Sequence, residues 1–227
     1  MITAKQLYHK GIEASDGHIG SVRDVYFDDQ IWSIRYLVVD TGKWLPGRKV
    51  LLAPEVIVLP WHVEASVVSV RLTRDQVRSS PDIDTTQPVS RKTEHLLHSH
   101  FGWIPYWEVP GVPAPPPPLA TTSGEEQPEP IRQPEPTADP HLRSAREVNG
   151  YRVHARDGET GHIEDVLFDD EFRRVLFLSV DLEEWLLAKK VLISPRVVAT
   201  INRVNSEVEA DLPCRIIKAS QEYKPAA

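Results

Sequence analysis

The histidines closest to one another in the sequence, His95, His98 and His100, are the first candidates for chemistry. Imidazole nitrogens are frequent ligands of divalent transition metals. If residues 91–100 form a helix, His95 and His98 lie on one face of it, and Glu94 adds a carboxylate four residues before His98. Such a face has the composition of a metal site, yet polar histidine-rich stretches are also common without metal. We therefore leave a metal at these histidines open and assign the chain no cofactor.

Acidic residues and nucleophiles give no recognisable catalytic arrangement. The doubled acids at 28–29 and 169–171 lack the alternating oxygen ligands and the glycine of a calcium loop, and a hairpin turn explains them better. The sequence has no glycine-rich phosphate loop and no G-x-S-x-G motif. Its single cysteine, Cys214, excludes an intrachain disulfide and a cysteine-based metal cluster. We expect a protein that is not an enzyme and has no catalytic residues.

Four aromatic side chains fall within seven residues: Phe101, Trp103, Tyr106 and Trp107. Water is a poor environment for so many large rings, because each buries a large apolar area when it is covered. We therefore expect residues 81–110 to form an aromatic segment that docks on a folded domain. The alternative is that these four rings form an exposed motif that binds a partner.

Proline dominates the region that follows, since twelve of the twenty prolines lie between residues 105 and 140. The run Pro115–Pro118 favours an extended polyproline II conformation without internal hydrogen bonds. Few apolar residues and many acids accompany it, a composition typical of disordered chain. We predict that residues 111–140 are a proline-rich, acidic, disordered linker.

The acidic excess is concentrated in the middle of the chain. The formal net charge is −7, of which residues 81–140 contribute −6 through three basic and nine acidic side chains. Nucleic-acid binding requires a basic patch that neutralises phosphates, and none is visible, so we predict no nucleic-acid partner. No apolar run reaches the roughly 18 residues of a membrane helix, and the N-terminus lacks the apolar core of a signal peptide. We expect a cytoplasmic protein without an integral membrane segment.

An internal repeat relates the two ends of the sequence at a constant offset of 141 residues. Residues 16–56 align with residues 157–197 without a gap, and 18 of the 41 pairs are identical. The identical pairs include Asp16/Asp157, Gly17/Gly158, Gly20/Gly161, Asp24/Asp165, Asp40/Asp181 and Trp44/Trp185. The repeat predicts two copies of one domain, which we place at residues 1–80 and 141–220.

Each copy has the pattern of a short helical turn followed by β-strands. Residues 3–6, 144–147 and 73–76 all fit the helix-capping pattern S/T-x-x-E/Q. Runs of β-branched and aromatic residues predict strands at 22–27, 34–39, 50–52 and 67–71, and in the second copy at 163–168, 175–180 and 191–193. Several strands are apolar on both faces, which requires cover on both faces. We therefore predict an all-β protein of two small β-barrels, with short helical turns, packed against each other.

The repeated residues resemble the PRC-barrel family. The matching residues of the first copy are Asp16-Gly17-x-x-Gly20, Asp24-Val25, Tyr36-Leu37-Val38-Val39-Asp40-Thr41-Gly42, Trp44-Leu45 and Val50-Leu51-Leu52-x-Pro54. The second copy keeps the Asp-Gly-x-x-Gly frame, Asp165-Val166, Asp181, Trp185-Leu186 and Pro195, but it lacks the Thr-Gly that follows Asp40. The resemblance implies two PRC-type barrels in tandem. Such barrels occur in the cytoplasmic part of the photosynthetic reaction centre H subunit and in a ribosome maturation factor.

The resemblance also implies a domain that binds other macromolecules and performs no chemistry. We expect a scaffold with a protein partner, similar to tandem-barrel proteins of bacteria. The alternative is a peripheral accessory or assembly factor of a membrane photosynthetic or quinone complex. An RNA-processing or ribosome-maturation factor is less favoured, because the chain lacks a basic patch. The equivalent positions of Trp44 and Trp185 predict a packing interface, within the chain or in a homodimer; otherwise each ring covers the rim of its own barrel.

Overall fold

The computed structural model describes residues 1–83, 89–108, 139–182 and 189–224. Strands account for 42% of the structure and helices for 20%, which confirms a mostly β protein. The strands form two sheets, one for each copy of the repeat. The predicted linker lies outside the described residues except for its last two positions, and Trp185 also lies outside them.

The N-terminal half of the chain builds the first sheet. This half of the chain contains the strands β1 (Ile2–Thr3), β2 (Gly11–Ala14), β3 (Gly17–Asp28), β4 (Ile34–Asp40), β5 (Lys49–Leu52) and β6 (Val67–Ser69), and the helices α1 (Ala4–Leu7), α2 (Arg74–Arg78) and α3 (Arg91–Phe101). The first sheet has the order β5-β4-β3-β2-β6, in which β2 and β6 are parallel and the other neighbours antiparallel. The predicted strands are confirmed, although β3 begins at Gly17, five residues before its predicted start.

The C-terminal half builds the second sheet in the same way. This half of the chain contains the strands β7 (Leu142–Ser144), β8 (Arg152–Ala155), β9 (Gly158–Phe168), β10 (Val175–Asp181), β11 (Lys190–Ile193), β12 (Val198–Asn202) and β13 (Glu207–Ala210), and the helices α4 (Ala145–Val148) and α5 (Cys214–Lys218). The order is β11-β10-β9-β8-β13-β12, with β8 and β13 parallel. The five strands β11, β10, β9, β8 and β13 therefore repeat the arrangement of the first sheet.

Each half donates its first strand to the sheet of the other half. β1 pairs with β9, where Ile2 lies opposite Phe168, and β7 pairs with β3 through the equivalent residues. This reciprocal exchange relates the halves by a pseudo-twofold axis. The axis passes through a bridge between Ser33 and Arg174, which are themselves equivalent under the offset of 141.

The hydrogen-bonded ladder of neither sheet closes into a barrel among the described residues. The two ends of each ladder are instead consecutive along the chain. In the first half, β5 continues through a 3-10 turn, Pro54–Val56, to Ile57, which bridges Val70 beside β6. In the second half, the equivalent turn, Pro195–Val197, joins β11 to β12. Proline has no N–H to donate to a ladder. The two ends of each sheet are therefore joined by a turn of the chain, and not by the continuous hydrogen bonds between strands that the predicted closed barrel requires.

One hydrophobic core runs through both halves. Leu7 and Phe27 of the first half and Phe168 of the second half are fully buried in it. Trp61 of the first half contacts Phe172 of the second half, with ring centroids 5.3 Å apart. The two halves therefore pack against each other, as their two-faced apolar strands predict.

A second, smaller core lies on the outer face of the first sheet. Tyr36 and Val38 of β4 point into it and pack with Leu97 of α3. Strict alternation along β4 would place Ile34 on the same face as Tyr36, but Ile34 belongs to the main core. A register shift in the ladder beside Ile34 breaks the alternation there. The Ile34 N–H then donates a hydrogen bond to the Arg173 carbonyl of the second half, at 2.9 Å.

The short helices begin at the predicted caps. Thr3 and Thr73 each form a complete capping box, in which hydroxyl and glutamine side chain satisfy each other's backbone amides. At α4 only half of the box forms. The Ser144 hydroxyl accepts a hydrogen bond from the Glu147 N–H, but the Glu147 carboxylate pairs with Arg203 instead of returning to the cap.

Candidate interaction site

Helix α3 and the residues that follow it cover the outer face of the first sheet. The Ser90 hydroxyl accepts a hydrogen bond from the Thr93 N–H and caps the start of the helix. The helix ends at Gly102, whose φ of 67° lies in the left-handed region that favours glycine. Leu97 is fully buried between the helix and the sheet. The structure thus places helix α3, Trp103 and Tyr106 against the first sheet.

A buried polar network holds α3 on the sheet. The Tyr36 hydroxyl donates a hydrogen bond to Glu94 Oε1 at 3.0 Å and lies 2.9 Å from His98 Nε2. The Tyr106 hydroxyl lies 3.1 Å from the same Glu94 oxygen. Glu94 Oε2 lies 3.0 Å from Arg91 Nη1 without hydrogen-bond geometry. A strand, a helix and the turn after it therefore meet at one carboxyl group.

Two arginines extend this network. Arg91 donates hydrogen bonds to the Tyr106 hydroxyl at 2.6 Å and to Asp139 Oδ2 at 2.7 Å. The Arg35 guanidinium lies 3.4 Å from the centre of the Tyr106 ring, a cation–π contact, and also pairs with Asp28 at 2.9 Å. Asp139 is buried, so the prediction of a disordered linker is wrong at this residue, because Arg91 and Tyr106 hold its carboxylate.

Burial sets the protonation of the network. Desolvation raises the pKa of Glu94 to about 7, because it disfavours the carboxylate more than the Arg91 guanidinium stabilises it. Burial also lowers the pKa of His98 and raises the pKa of Tyr36. A carboxyl group near its midpoint at neutral pH is capable of proton transfer. Because the Glu94 side chain is fully covered by protein, no substrate reaches it in this arrangement.

Three of the four predicted aromatic residues, Trp103, Tyr106 and Trp107, lie around His98, and Phe101 stacks on Trp103. Phe101 and Trp103 stack with centroids 4.4 Å apart, and both pack against the main core and the outer core. The His98 ring lies 5.7 Å from Trp103, 5.0 Å from Trp107 and 6.2 Å from Tyr106. All four aromatic rings are partly buried, so the segment contributes mainly to the fold of the first half.

The three clustered histidines have different partners. His95 contacts the ring of Trp107 at 4.7 Å, and His98 contacts the same ring. His95 and His98 therefore share a helix face, as their spacing predicts. His100 Nε2 lies 2.9 Å from the Gln76 carbonyl oxygen of α2. Ring contacts and hydrogen bonds account for each of the three.

Trp44 lies against α2 of its own half. Its ring faces the guanidinium groups of Arg74 at 4.9 Å and Arg78 at 5.6 Å. It also packs partly buried on the main core. This position matches the alternative interpretation, in which Trp44 covers the rim of its own half. Trp185, its equivalent, lies outside the described residues.

The repeated aspartates Asp24 and Asp165 join the two halves. Asp24 Oδ1 accepts a hydrogen bond from the Arg146 N–H at the start of α4, at 3.1 Å, and Oδ2 accepts one from the Ser144 hydroxyl at 2.5 Å. In the equivalent position, Asp165 Oδ1 accepts a hydrogen bond from the Lys5 N–H of α1 at 3.4 Å. Each aspartate thus caps a helix of the other half, and burial raises the pKa of both. These helix caps give a structural reason for the identity of the two residues in the two copies.

One group within the described part of the chain has side chains suited to a divalent metal: His162, Glu164 and Asp181, with ligand atoms within 4.8 Å of one another. They come from two neighbouring strands, so no local spacing in the sequence pointed to them. Glu164 binds Lys5 at 2.7 Å and Lys190 at 2.8 Å. Burial alone raises the pKa of Glu164, but these two ammonium groups outweigh it and hold the pKa below its ordinary value. A metal ion would have to displace both lysines, and we assign none.

Equivalent grooves lie on either side of the pseudo-twofold axis, and they differ in chemistry. The second-half groove has a volume of about 600 Å³ and is lined by Ile31, Trp32, Leu176, Phe177, Pro195 and Val198, among others. The first-half groove has about 370 Å³, and four arginines and two glutamates contribute to its lining. The second-half groove extends to Leu176 and Phe177, the equivalents of Arg35 and Tyr36. These are the positions that the aromatic segment contacts in the first half.

Among the described residues, the floor of the second-half groove is partly exposed and two arginines at its rim are exposed. Phe177 is partly exposed, whereas its equivalent Tyr36 is 1% exposed beneath α3. Arg174 and Arg196 line the groove with exposed side chains, and neither has an ionic partner among the residues that the structure describes. In the sequence, this site is marked by Phe177, which stands where the first copy of the repeat has Tyr36.

Residues 140–213 match the family model of the PRC-barrel domain. No curated protein matches the chain. Over the ranges that the structure describes, no helix is both long and apolar enough to cross a bilayer. The second half of this chain is therefore similar to the PRC-barrel domain over these 74 residues.

Proposed function

We propose that this protein is a non-catalytic scaffold that binds a protein partner, and that residues 1–80 form a second PRC-type domain beside the matched one. The repeat of 18 identities in 41 positions supports the second domain. So do the shared strand order and the reciprocal exchange of β1 and β7.

The observation that carries the binding role is the difference between two equivalent faces. Glu94, His98 and Tyr106 cover Tyr36 in the first half, whereas Phe177 lies partly exposed in a groove in the second. A groove that combines apolar and charged side chains has the composition of a protein-binding surface. A non-catalytic role agrees with the use of the buried acids, since Glu94, Asp24 and Asp165 are all engaged in contacts that hold the fold together.

Affinity capture with chemical cross-linking tests this function. The full chain, tagged at its C-terminus, serves as bait in nuclease-treated soluble and membrane fractions of its native cells. We expect one protein to be recovered in near-stoichiometric amount and cross-linked to the second half. Recovery from the membrane fraction alone would favour the accessory-factor role. Recovery of no protein above an unrelated tagged control, or loss of the partner on nuclease treatment, would contradict the proposal.

A further inference from the structure

We propose that the first-half groove binds a small organic acid, whose oxyanion group, a carboxylate or a phosphate, pairs with Arg71 and Arg174 and whose organic part lies on Leu59. This inference goes beyond the proposed function and does not depend on it. It is carried by the side chains that this groove has and that its equivalent in the second half lacks.

Both halves of the chain contribute charged side chains to the groove, which lies beside the bridge on the pseudo-twofold axis. The charged residues of its lining are Arg35, Arg71 and Glu55 from the first half and Glu171, Arg173 and Arg174 from the second half. Two of these arginines already have acidic partners, since Arg173 pairs with Glu171 and Arg35 pairs with Asp28, each at 2.9 Å. Two arginines and one glutamate remain, which leaves an excess of positive charge.

The two remaining arginines are placed to pair with an anion. Arg174 has no ionic partner among the described residues. Arg71 donates a hydrogen bond to the Glu55 carbonyl oxygen at 2.5 Å, which is a neutral acceptor. Both arginines are exposed residues of the groove lining. A guanidinium group presents a planar fork of donors that matches the oxygens of a carboxylate or a phosphate.

Two further polar atoms in residues of this lining are buried without a hydrogen-bond partner: Ser33 Oγ and Arg35 Nε. The Arg35 side chain is only 9% exposed. Buried polar atoms nearly always have a partner in folded proteins, so each exception calls for a missing group. An arginine Nε carries a hydrogen and can only donate, so the missing group at Arg35 is an acceptor. Carboxylate and phosphate oxygens are such acceptors.

The repeat shows that the shared fold does not require these arginines. The second copy has Leu212 at the position of Arg71, and the first copy has Trp32 at the position of Arg173. The equivalent groove therefore forms with apolar residues at these positions. Arg35 is explained by Asp28 and the Tyr106 ring, but no contact with an acidic side chain explains Arg71 within the described part of the chain.

The size and the apolar part of the groove indicate a small molecule. Its volume of about 370 Å³ lies in the range of small-molecule sites. Pro54 and Ile57 also line it, and Leu59 is 39% exposed there. An organic group next to the oxyanion would cover Leu59 and remove apolar surface from water.

Isothermal titration calorimetry of the full chain tests the site with three probes that share one ring: benzoate, phenyl phosphate and the uncharged benzamide. The salt concentration is kept near about 50 mM, because salt screens exposed charges. We expect at least one of the two anions to bind with a Kd below about 1 mM, and benzamide to bind at least about tenfold more weakly. The anion that binds more tightly identifies the head group.

Two variants replace the arginines by the residue types at the equivalent positions of the repeat. Arg71→Leu and Arg174→Ser should each weaken binding of the anion about tenfold or more. Circular dichroism verifies that each variant is folded. Arg196→Gln separates the two grooves, because Arg196 lines only the second-half groove, and Arg23→Leu removes an exposed arginine that is in neither lining. Both control variants should bind the anion as the unmodified chain does.

Several results would overturn this proposal. They are no binding of either anion, equal binding of benzamide, or the same loss of binding in Arg196→Gln as in Arg71→Leu. A captured protein partner that is lost from the Arg71→Leu bait, with no binding of any probe, would make the groove a part of the partner surface and also overturns it. If the anion binds through Arg71 and no partner is captured, the scaffold function fails and this site stands.

Discussion

Glu94 is the side chain on which the cover of the first sheet depends. Its Oε1 lies within hydrogen-bond distance of two tyrosine hydroxyls, those of Tyr36 and Tyr106. Full burial of this group raises its pKa to about 7, well above the ordinary range of a glutamate. The folded protein therefore favours the protonated carboxyl group over a wide pH range in which the unfolded chain carries a carboxylate.

The pH dependence of stability follows from this shift. The folded pKa is higher than the unfolded one, so folding takes up a proton between about pH 4.5 and 7. The contribution of Glu94 to the free energy of unfolding is therefore largest below pH 4.5 and is lost as pH rises to about 7, by a total on the order of 3 kcal/mol. Urea unfolding of the unmodified chain and of Glu94→Gln at several pH values measures it. We expect the difference between the two curves to change with pH over this window, in favour of the variant as pH rises.

Burial lowers the pKa of His98 below its ordinary value. Its contribution is present in both proteins, so comparison with Glu94→Gln isolates the carboxyl group to first order. Parallel stability curves from pH 4.5 to 7 would show that Glu94 is not protonated by folding.

The sequence predicts the aromatic members of this cluster but not its polar centre. Four rings in seven residues indicate burial without any structure, because exposed rings are unfavourable in water. The sequence identifies Glu94 only as a possible metal ligand beside His98. Asp139 lies in a stretch whose composition is typical of disordered chain. Hydrogen bonds between side chains far apart in sequence, such as Tyr36 with Glu94 and Arg91 with Asp139, leave no local pattern.

At the scale of elements, the repeat predicts the strands and their equivalence in the two halves, but not the exchange between the halves. Runs of β-branched and aromatic residues place β4 and β10. A strand as short as β1 has no periodicity, and a constant offset does not say which sheet it joins. The repeated aspartates Asp24 and Asp165 are the residues that reflect this exchange in the sequence. Each of them caps the helix that follows the donated strand of the other half.

Removing either capping aspartate tests the exchange. Asp24→Ala leaves the Arg146 N–H and the Ser144 hydroxyl without their acceptor, and Asp165→Ala does the same to the Lys5 N–H. Each change should lower the free energy of unfolding by about 1–3 kcal/mol. The exposed Glu159→Ala is the control and should stay within about 0.5 kcal/mol of the unmodified chain. Urea unfolding measures all three, and losses no larger than that of Glu159→Ala would contradict the capping role.

The repeated glycine Gly20, compared with Gly42, which is not repeated, gives a second test at this scale. Gly20 has φ 149°, and a Cβ there would overlap the carbonyl oxygen of Asp40 on the neighbouring strand. Gly42 has φ 54° with open space around its missing Cβ. We expect Gly42→Ala to cost about 1 kcal/mol from backbone strain alone, and Gly20→Ala about 3 kcal/mol or more, because strand and neighbour must separate. Equal losses in thermal or urea unfolding would remove the close approach as the reason for the glycine.

On the scale of the whole molecule, two similar halves form a symmetric frame with unlike outer faces. The frame is made by one core, two donated strands and a bridge on the pseudo-twofold axis. One face is covered by α3, and the other carries the open second-half groove. A rigid frame keeps the open face ordered without a partner, which suits a scaffold, since less conformational entropy is lost on binding.

The central claim is that the two halves are one interlocked unit, and native-state hydrogen exchange of the full chain with increasing urea tests it most directly. The slowest amides of β4 report on the first sheet and those of β10 on the second. We predict that both groups exchange through the same opening, with equal free energies and equal dependence on urea. If the amides of β10 open at a lower free energy while those of β4 stay protected, or the reverse, the halves are independent domains and the claim is wrong.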